Sequence, residues 1–128
     1  MKNNINTSYV TNIKDVKKIY QLENSKCEKI NDNKGEYLTI INYLIKIIET
    51  MPTYDEEQKL IQNYDKKVIT ILECKEGNYV TASQFFSNQF SDLINRFGDD
   101  LLSDNLVIKI IERDVKNSKH KALGLELV

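Results

Sequence analysis

Between Ala82 and Phe97 the apolar positions Ala82, Phe85, Phe86, Phe90, Leu93, Ile94 and Phe97 recur at helical spacing, with Ser83, Asn88, Asp92 and Asn95 opposite them. This predicts an amphipathic helix, and both of its ends are marked. Thr81 and Gln84 have the spacing of a capping box, in which each side chain satisfies an otherwise orphan amide, and Gly98 supplies a left-handed stop. Burying its phenylalanines contributes roughly 1.5–3 kcal/mol each before entropy, so the helix is expected to dock firmly. Val68, Ile69, Ile71, Leu72 and Cys74 form a near-continuous apolar run before it, and Leu106–Ile111 forms a second one after it. Runs this short suit strands covered on both faces. Strand, crossover helix, strand is the unit that builds a parallel sheet. A competing reading folds Val68–Ala82 into a β-hairpin around Gly77 and Asn78; the well-bounded helix that follows favours a strand-to-helix loop instead.

Upstream, Tyr37, Ile40, Ile41, Leu44, Ile48 and Met51 also fall at the 3.6-residue period, with Leu38, Ile45 and Ile47 widening the stripe, which predicts a helix ended by Pro52. Tyr54–Tyr64 begins with Asp55, Glu56 and Glu57, acids that suit a helix N-terminus, and Leu60, Ile61 and Tyr64 give it an apolar face. Leu123, Leu125 and Leu127 alternate near the C-terminus, as a short strand or as the start of a helix. Residues 1–34 are the least patterned. Val16, Ile19, Tyr20 and Leu22 fit a short helix or a strand equally, Asn24–Gly35 reads as a loop, and one or two weak strands are expected before it. The elements together predict one α/β domain spanning 1–128, a small mixed and mostly parallel sheet flanked by helices, with an all-α bundle as the alternative.

Composition narrows the function classes. Eighteen basic residues against nineteen acidic ones give no global field for nucleic acid or anionic lipid. Cys27 and Cys74 are too few and too far apart for a disulfide framework or a zinc site, and they read as reduced cytoplasmic thiols. The N-terminal residues have no signal-like apolar core, and no stretch approaches a membrane span of roughly 18 apolar residues. A cytoplasmic protein needing no cofactor or metal, with a protein partner and no nucleic acid or membrane, is the expectation.

The order of Val68–Leu72, Tyr79–Ser83, Phe85–Gly98 and Leu106–Ile111 resembles the STAS-like domain family, relatives of the anti-sigma factor antagonists, over about residues 66–112. In that family a core strand runs through a polar turn into a Phe-rich helix ending in glycine, and a further apolar strand follows. The resemblance implies a non-enzymatic regulatory module that docks to a histidine-kinase-type ATPase or another cognate regulator. The implied contact surface is Tyr79, Thr81, Ser83 and Gln84 with Asn88, Gln89, Asp92 and Arg96 on the exposed side of the helix. Family members carry an Asp-Ser-Ser-Gly-like turn whose serine is phosphorylated; here Ala82 stands where that serine would be, and Ser83 is the remaining candidate acceptor. A plainer reading makes Thr81 the N-cap and Ser83 a solvated first-turn residue.

Rivals from other classes are weaker. Arg113 and His120 have the spacing used by helical ribonucleases, with few residues following the motif. Asp55, Glu56 and Glu57, and the trio Asp99, Asp100 and Asp104, lack metal-loop spacing. An immunity-type or phage-encoded inhibitor of a cognate protein is the third possibility.

Overall fold

The apolar run that begins at Tyr37 is one long strand, not a helix. In the computed structural model, which describes residues 4–98, 100–103, 105–117 and 119–128, β3 spans Tyr37–Thr50. Ile40, Ile41, Ile45, Ile47 and Ile48 make this segment rich in β-branched side chains, which lose rotamer freedom in a helix and pack well on a pleated surface. The segment is also central. One edge of β3 pairs antiparallel with β6 (Asp65–Cys74), from Ile40 opposite Cys74 to Thr50 opposite Asp65, with a bulge between Ile40 and Asn42. Its other edge is shared by β1 (Ile5–Thr11), which faces Leu44–Thr50, and by β8 (Val107–Asp114), which faces Tyr37–Thr39.

Two further strands complete the edges. β6 turns back through Lys75 and Glu76 into β7 (Gly77–Thr81), and Gly77 takes the φ of 143° that the reversal needs. The Glu76 carboxylate accepts from the Thr39 amide at 2.7 Å and the Thr39 hydroxyl at 3.1 Å, which clamps this turn to β3. β8 pairs antiparallel with the terminal strand β9 (Lys121–Leu127). The two-residue β2 (Glu28–Lys29) lies parallel to β7, and a 3-10 turn at Ile30–Asp32 then buries Ile30 completely.

The mostly parallel α/β sheet and the all-α alternative are therefore both overturned: the seven-stranded sheet is antiparallel except for the β2–β7 contact. β6 and β8 do run in the same direction, but β3 lies between them and pairs with each. Val68–Thr81 is the β-hairpin, with its turn two residues ahead of the Gly77–Asn78 pair. Tyr54–Tyr64 is not a helix. Its residues contribute to a small hairpin of β4 (Thr53–Tyr54) and β5 (Leu60–Gln62).

Helices cover both faces of the sheet. α1 (Val16–Glu23) is capped by the Asp15 carboxylate, which accepts from the Lys17 amide, and packs Leu22 with Ile13, Leu44 and Ile71. α2 (Gln84–Phe97) lies on the other face, where Phe86, Phe90 and Ile94 meet Tyr43, Ile45, Leu72, Ile108 and Ile110. Phe90 meets Tyr43 edge to face at 5.5 Å and stacks with Phe86 at 6.5 Å. A single turn, α3 (Asp100–Ser103), leads into β8. No helix among the described residues is long and apolar enough to cross a membrane.

Cys74 closes β6 inside the larger core, at 6% exposure. Burial first, and then the neighbouring charges of Glu76 and Glu73, push its thiol up to about 12. The reactive species is the thiolate, so iodoacetamide at pH 8 is expected to leave Cys74 unmodified until the protein is unfolded. Peptide mass spectrometry after alkylation with and without denaturant checks this; native labelling at the unfolded rate would contradict it.

Candidate protein-binding surfaces

The turn before α2 is organised one step later than the sequence predicts. Ser83, not Thr81, is the N-cap: its backbone is extended and its hydroxyl accepts from the Phe86 amide at 3.3 Å. Thr81 accepts from the Ser83 amide at 3.0 Å and donates to Asn31 Oδ1 at 3.1 Å. Gln84 does not reach back to close a capping box; its amide donates weakly to Asn88 Oδ1 at 3.4 Å. Among the expected contact residues, Tyr79 and Thr81 are 7% and 4% exposed and point into the core, so neither is available to a partner. Strand alternation in β7 sends both inward. The Ser83 hydroxyl is engaged as a cap.

Gln84, Asn88, Asp92 and Arg96 do lie on the outer side of α2, where Arg96 pairs with Asp92 at 3.1 Å one helical turn away. Pairs of this kind on open surface add little, and this ridge presents polar groups that water already satisfies. Gln89 is different. Its side-chain amide donates to the Leu125 carbonyl at 2.7 Å and accepts from the Leu125 amide at 3.0 Å, as a neighbouring strand would. A methyl group on Gly124 would lie 3.0 Å from Arg113 Nε and 3.2 Å from Gln89 Oε1, so glycine is what lets both side chains close over β9. Gln89 is thus a structural group. Phe85 and Phe97, placed by the periodicity on the buried stripe, are 59% and 54% exposed at its borders.

The ribonuclease-like pair does not share a helix. Arg113 sits in β8 opposite Ala122, and His120 lies in the bend before β9. Asp99 and Asp104 of the second acidic trio lie outside the described residues; among the described ones no group of three or more His, Cys, Asp or Glu side chains could hold a metal ion. A cavity of about 270 Å³ beside α1 is lined by Lys18, Gln21, Ser25, Asn42, Glu73 and Asn78 among others. Polar groups in it are bonded: Asn42 accepts from Asn12, the residue after β1, at 2.8 Å and donates to Glu73, and Asn78 donates to Ser25 at 3.1 Å.

The surface that sequence reasoning missed is the far end of the sheet. Beyond the reach of α2, the β3–β6 hairpin continues into β4 and β5, where Met51, Tyr54, Leu60, Ile61 and Tyr64 are 41–68% exposed. Tyr54 and Leu60 face each other across the small hairpin. Asp55 shapes its turn by accepting from the Glu57 and Lys59 amides at 2.9 and 2.8 Å, and Gln58 takes a left-handed φ of 64°. Tyr64 donates to Glu49 at 2.7 Å, which anchors the base of the tip to β3. Around these apolar groups stand Asp55, Glu56 and Glu57, with Lys59 3.4 Å from Glu57, while at the base Glu49 lies opposite Lys66, which follows Asp65 in the chain. The available signal was the clustering of large apolar residues with acids in a stretch containing the chain's single proline.

Comparison with protein-family models, with curated proteins and with solved structures finds no match for this chain.

Proposed function

We propose that this protein is a non-catalytic regulatory module that acts by inserting its β4–β5 tip into a partner protein. The observation that carries the reading is the group of exposed apolar side chains at Met51, Tyr54, Leu60, Ile61 and Tyr64, held on a hairpin that projects past the packed core. Exposed apolar groups gathered in one place mark contact surfaces, whereas singly scattered ones need no explanation. Tyrosine and isoleucine on a short, pinned hairpin lose little conformational freedom on binding. The acids beside them define the partner: a protein with an apolar cleft rimmed by lysine and arginine, which opposite charge would steer onto the tip. An inhibitor of a protein with a basic working cleft has this chemistry. The strand–helix–strand order that suggests STAS-like kinship does not enter the argument, and the contact surface moves from the polar ridge of α2 to the tip.

A photo-crosslinking amino acid placed at Ile61, and separately at Asn88 on α2, tests the reading in cells that make the protein. A discrete adduct is expected at position 61, joined to peptides rich in lysine or arginine, and lost when Glu56 and Glu57 are changed to lysine. Equal yields at the two positions, or adducts indifferent to the charge reversal, would count against it. Adducts to a second copy of this chain would replace it with self-association.

A further inference from the structure

Among the described residues, most of the strand edge that lacks a strand neighbour is covered or charged; past the end of β7, the outer edge of β6 carries Asp65, Lys66 and Lys67. On β7, β2 pairs with Tyr79 and Val80, while Asn78 and Thr81 bond to Ser25 and Asn31. On β9, Gln89 occupies the outward amide and carbonyl of Leu125, and α2 lies alongside. β1 has neither protection. Its seven residues contain no charge and no proline, and their register against β3 is unbroken from Ile5 to Thr11. Charged side chains, prolines, bulges and covering elements are the usual means by which proteins blunt a sheet edge.

The orientation of the open groups follows from one bond. The Met51 amide donates to the Asn4 carbonyl at 2.8 Å, so Asn4 directs its backbone toward β3. Residues of an antiparallel strand alternate in this respect, which turns Asn6, Ser8 and Val10 toward β3 and Ile5, Thr7, Tyr9 and Thr11 outward. Ile5, Tyr9 and Val10 are 42–47% exposed along the same edge.

We propose that β1 is a self-association edge, on which β1 of a second copy pairs antiparallel about a two-fold axis at Ser8. That centre sets Ile5 opposite Thr11 of the second copy and Thr7 opposite its Tyr9, so all four outward residues of each strand meet outward residues and each facing pair exchanges two hydrogen bonds. Symmetry and charge select a second copy over a foreign strand. An antiparallel pair of identical strands is closed by a two-fold axis, so one surface serves both partners and growth stops at a dimer. An uncharged strand meets its own copy with no like-charge repulsion, and it offers nothing to attract a charged stranger. The dimer would extend the sheet through both molecules and carry the two β4–β5 tips at opposite ends. The inference stands apart from the tip reading, since it uses none of the tip residues.

Thr7→Pro is the decisive variant. The Thr7 amide points away from β3, so proline there removes no bond of the β1–β3 ladder, whereas Asn6→Pro removes one. Sedimentation velocity at about 100 μM, well above the Kd of a micromolar interface, is expected to give a dimer for the full chain and a monomer for Thr7→Pro. Circular dichroism of Thr7→Pro should match the parent, and Thr7→Lys should also be monomeric. Hydrogen exchange at Thr7 and Tyr9 should be slowed in the concentrated parent and fast in Thr7→Lys. A parent that stays monomeric, or a dimer that survives both Thr7 variants, overturns the proposal. So does a dimer abolished by Ile61→Asp but not by Thr7→Pro, which would place the contact at the tip.

Discussion

Replacing Phe90 by alanine is expected to destabilise the protein by about 3–5 kcal/mol, a large share of the roughly 5–15 kcal/mol that holds a domain of this size folded. Phe90 is fully buried and sits where α2 meets three strands: it contacts Tyr43 of β3 edge to face and Phe86 one turn earlier on its own helix, above a sheet floor that includes Leu72 of β6 and Ile110 of β8. A cavity there cannot be filled by sliding α2, because Gln89 fixes the helix to Leu125 and Ser83 fixes its start. Phe85→Ala is the matched control. That side chain is 59% exposed, so its loss should change stability by no more than about 0.5 kcal/mol. Urea unfolding followed by circular dichroism measures both. Equal midpoint shifts would mean that α2 docks through a different face from the one described.

The contrast between these two phenylalanines also shows what a sequence pattern can resolve. Periodicity placed Phe85, Phe86, Phe90 and Phe97 on one stripe, and α2 does form over Gln84–Phe97 with Gly98 after it, but the stripe is wider than the surface that the sheet covers. The short runs in β6 and β8 were legible as strands because each is too brief for a helix and too apolar for a loop. β3 was not. Its middle residues Tyr43, Leu44 and Ile45 are all buried, because α2 covers one face of the strand and α1 the other, so the period of two that betrays a half-buried strand is erased. What remains is a long apolar run, and length alone argues for a helix. Its isoleucine content was the contrary signal. The pairing of β6 and β8 with β3 could not be read at all, since neighbour choice in a sheet is set by packing between distant segments.

Two residues of the expected contact surface are buried for a related reason. Tyr79 and Thr81 look like turn residues next to a helix start, yet both belong to β7, where they lie opposite Leu72 and Thr70 and share the inward face. At the tip, Asp55 and its neighbours had the composition of a helix N-terminus. The Asp55 carboxylate instead binds the Glu57 and Lys59 amides, a local competition that the helix dipole argument does not contain. β1 was expected only as a weak strand because its exposed residues carry no alternation to detect; its importance lies in backbone groups, which every sequence possesses.

A buried hydroxyl pair offers the second large effect, with a sign that depends on how it is removed. Thr70 of β6 and Ser87 of α2 are 0% and 1% exposed, and their hydroxyls lie 2.6 Å apart. Deleting one partner leaves the other desolvated without its bond, at a cost of about 1–3 kcal/mol, while removing both polar groups together can approach neutrality. The two single changes should not be equal. After Thr70→Val the Ser87 hydroxyl can turn to the Ser83 carbonyl, which accepts the Ser87 amide one turn back. After Ser87→Ala the Thr70 hydroxyl has Thr81 as its cross-strand neighbour, and that hydroxyl is already bonded to Asn31 and to the Ser83 amide. Ser87→Ala is therefore expected to cost more than Thr70→Val, and the double variant to be more stable than Ser87→Ala alone. Urea titration of the four proteins in a double-mutant cycle gives the coupling directly. Strict additivity would show that the two hydroxyls do not depend on each other, and that the β6–α2 contact is held by the phenylalanines alone.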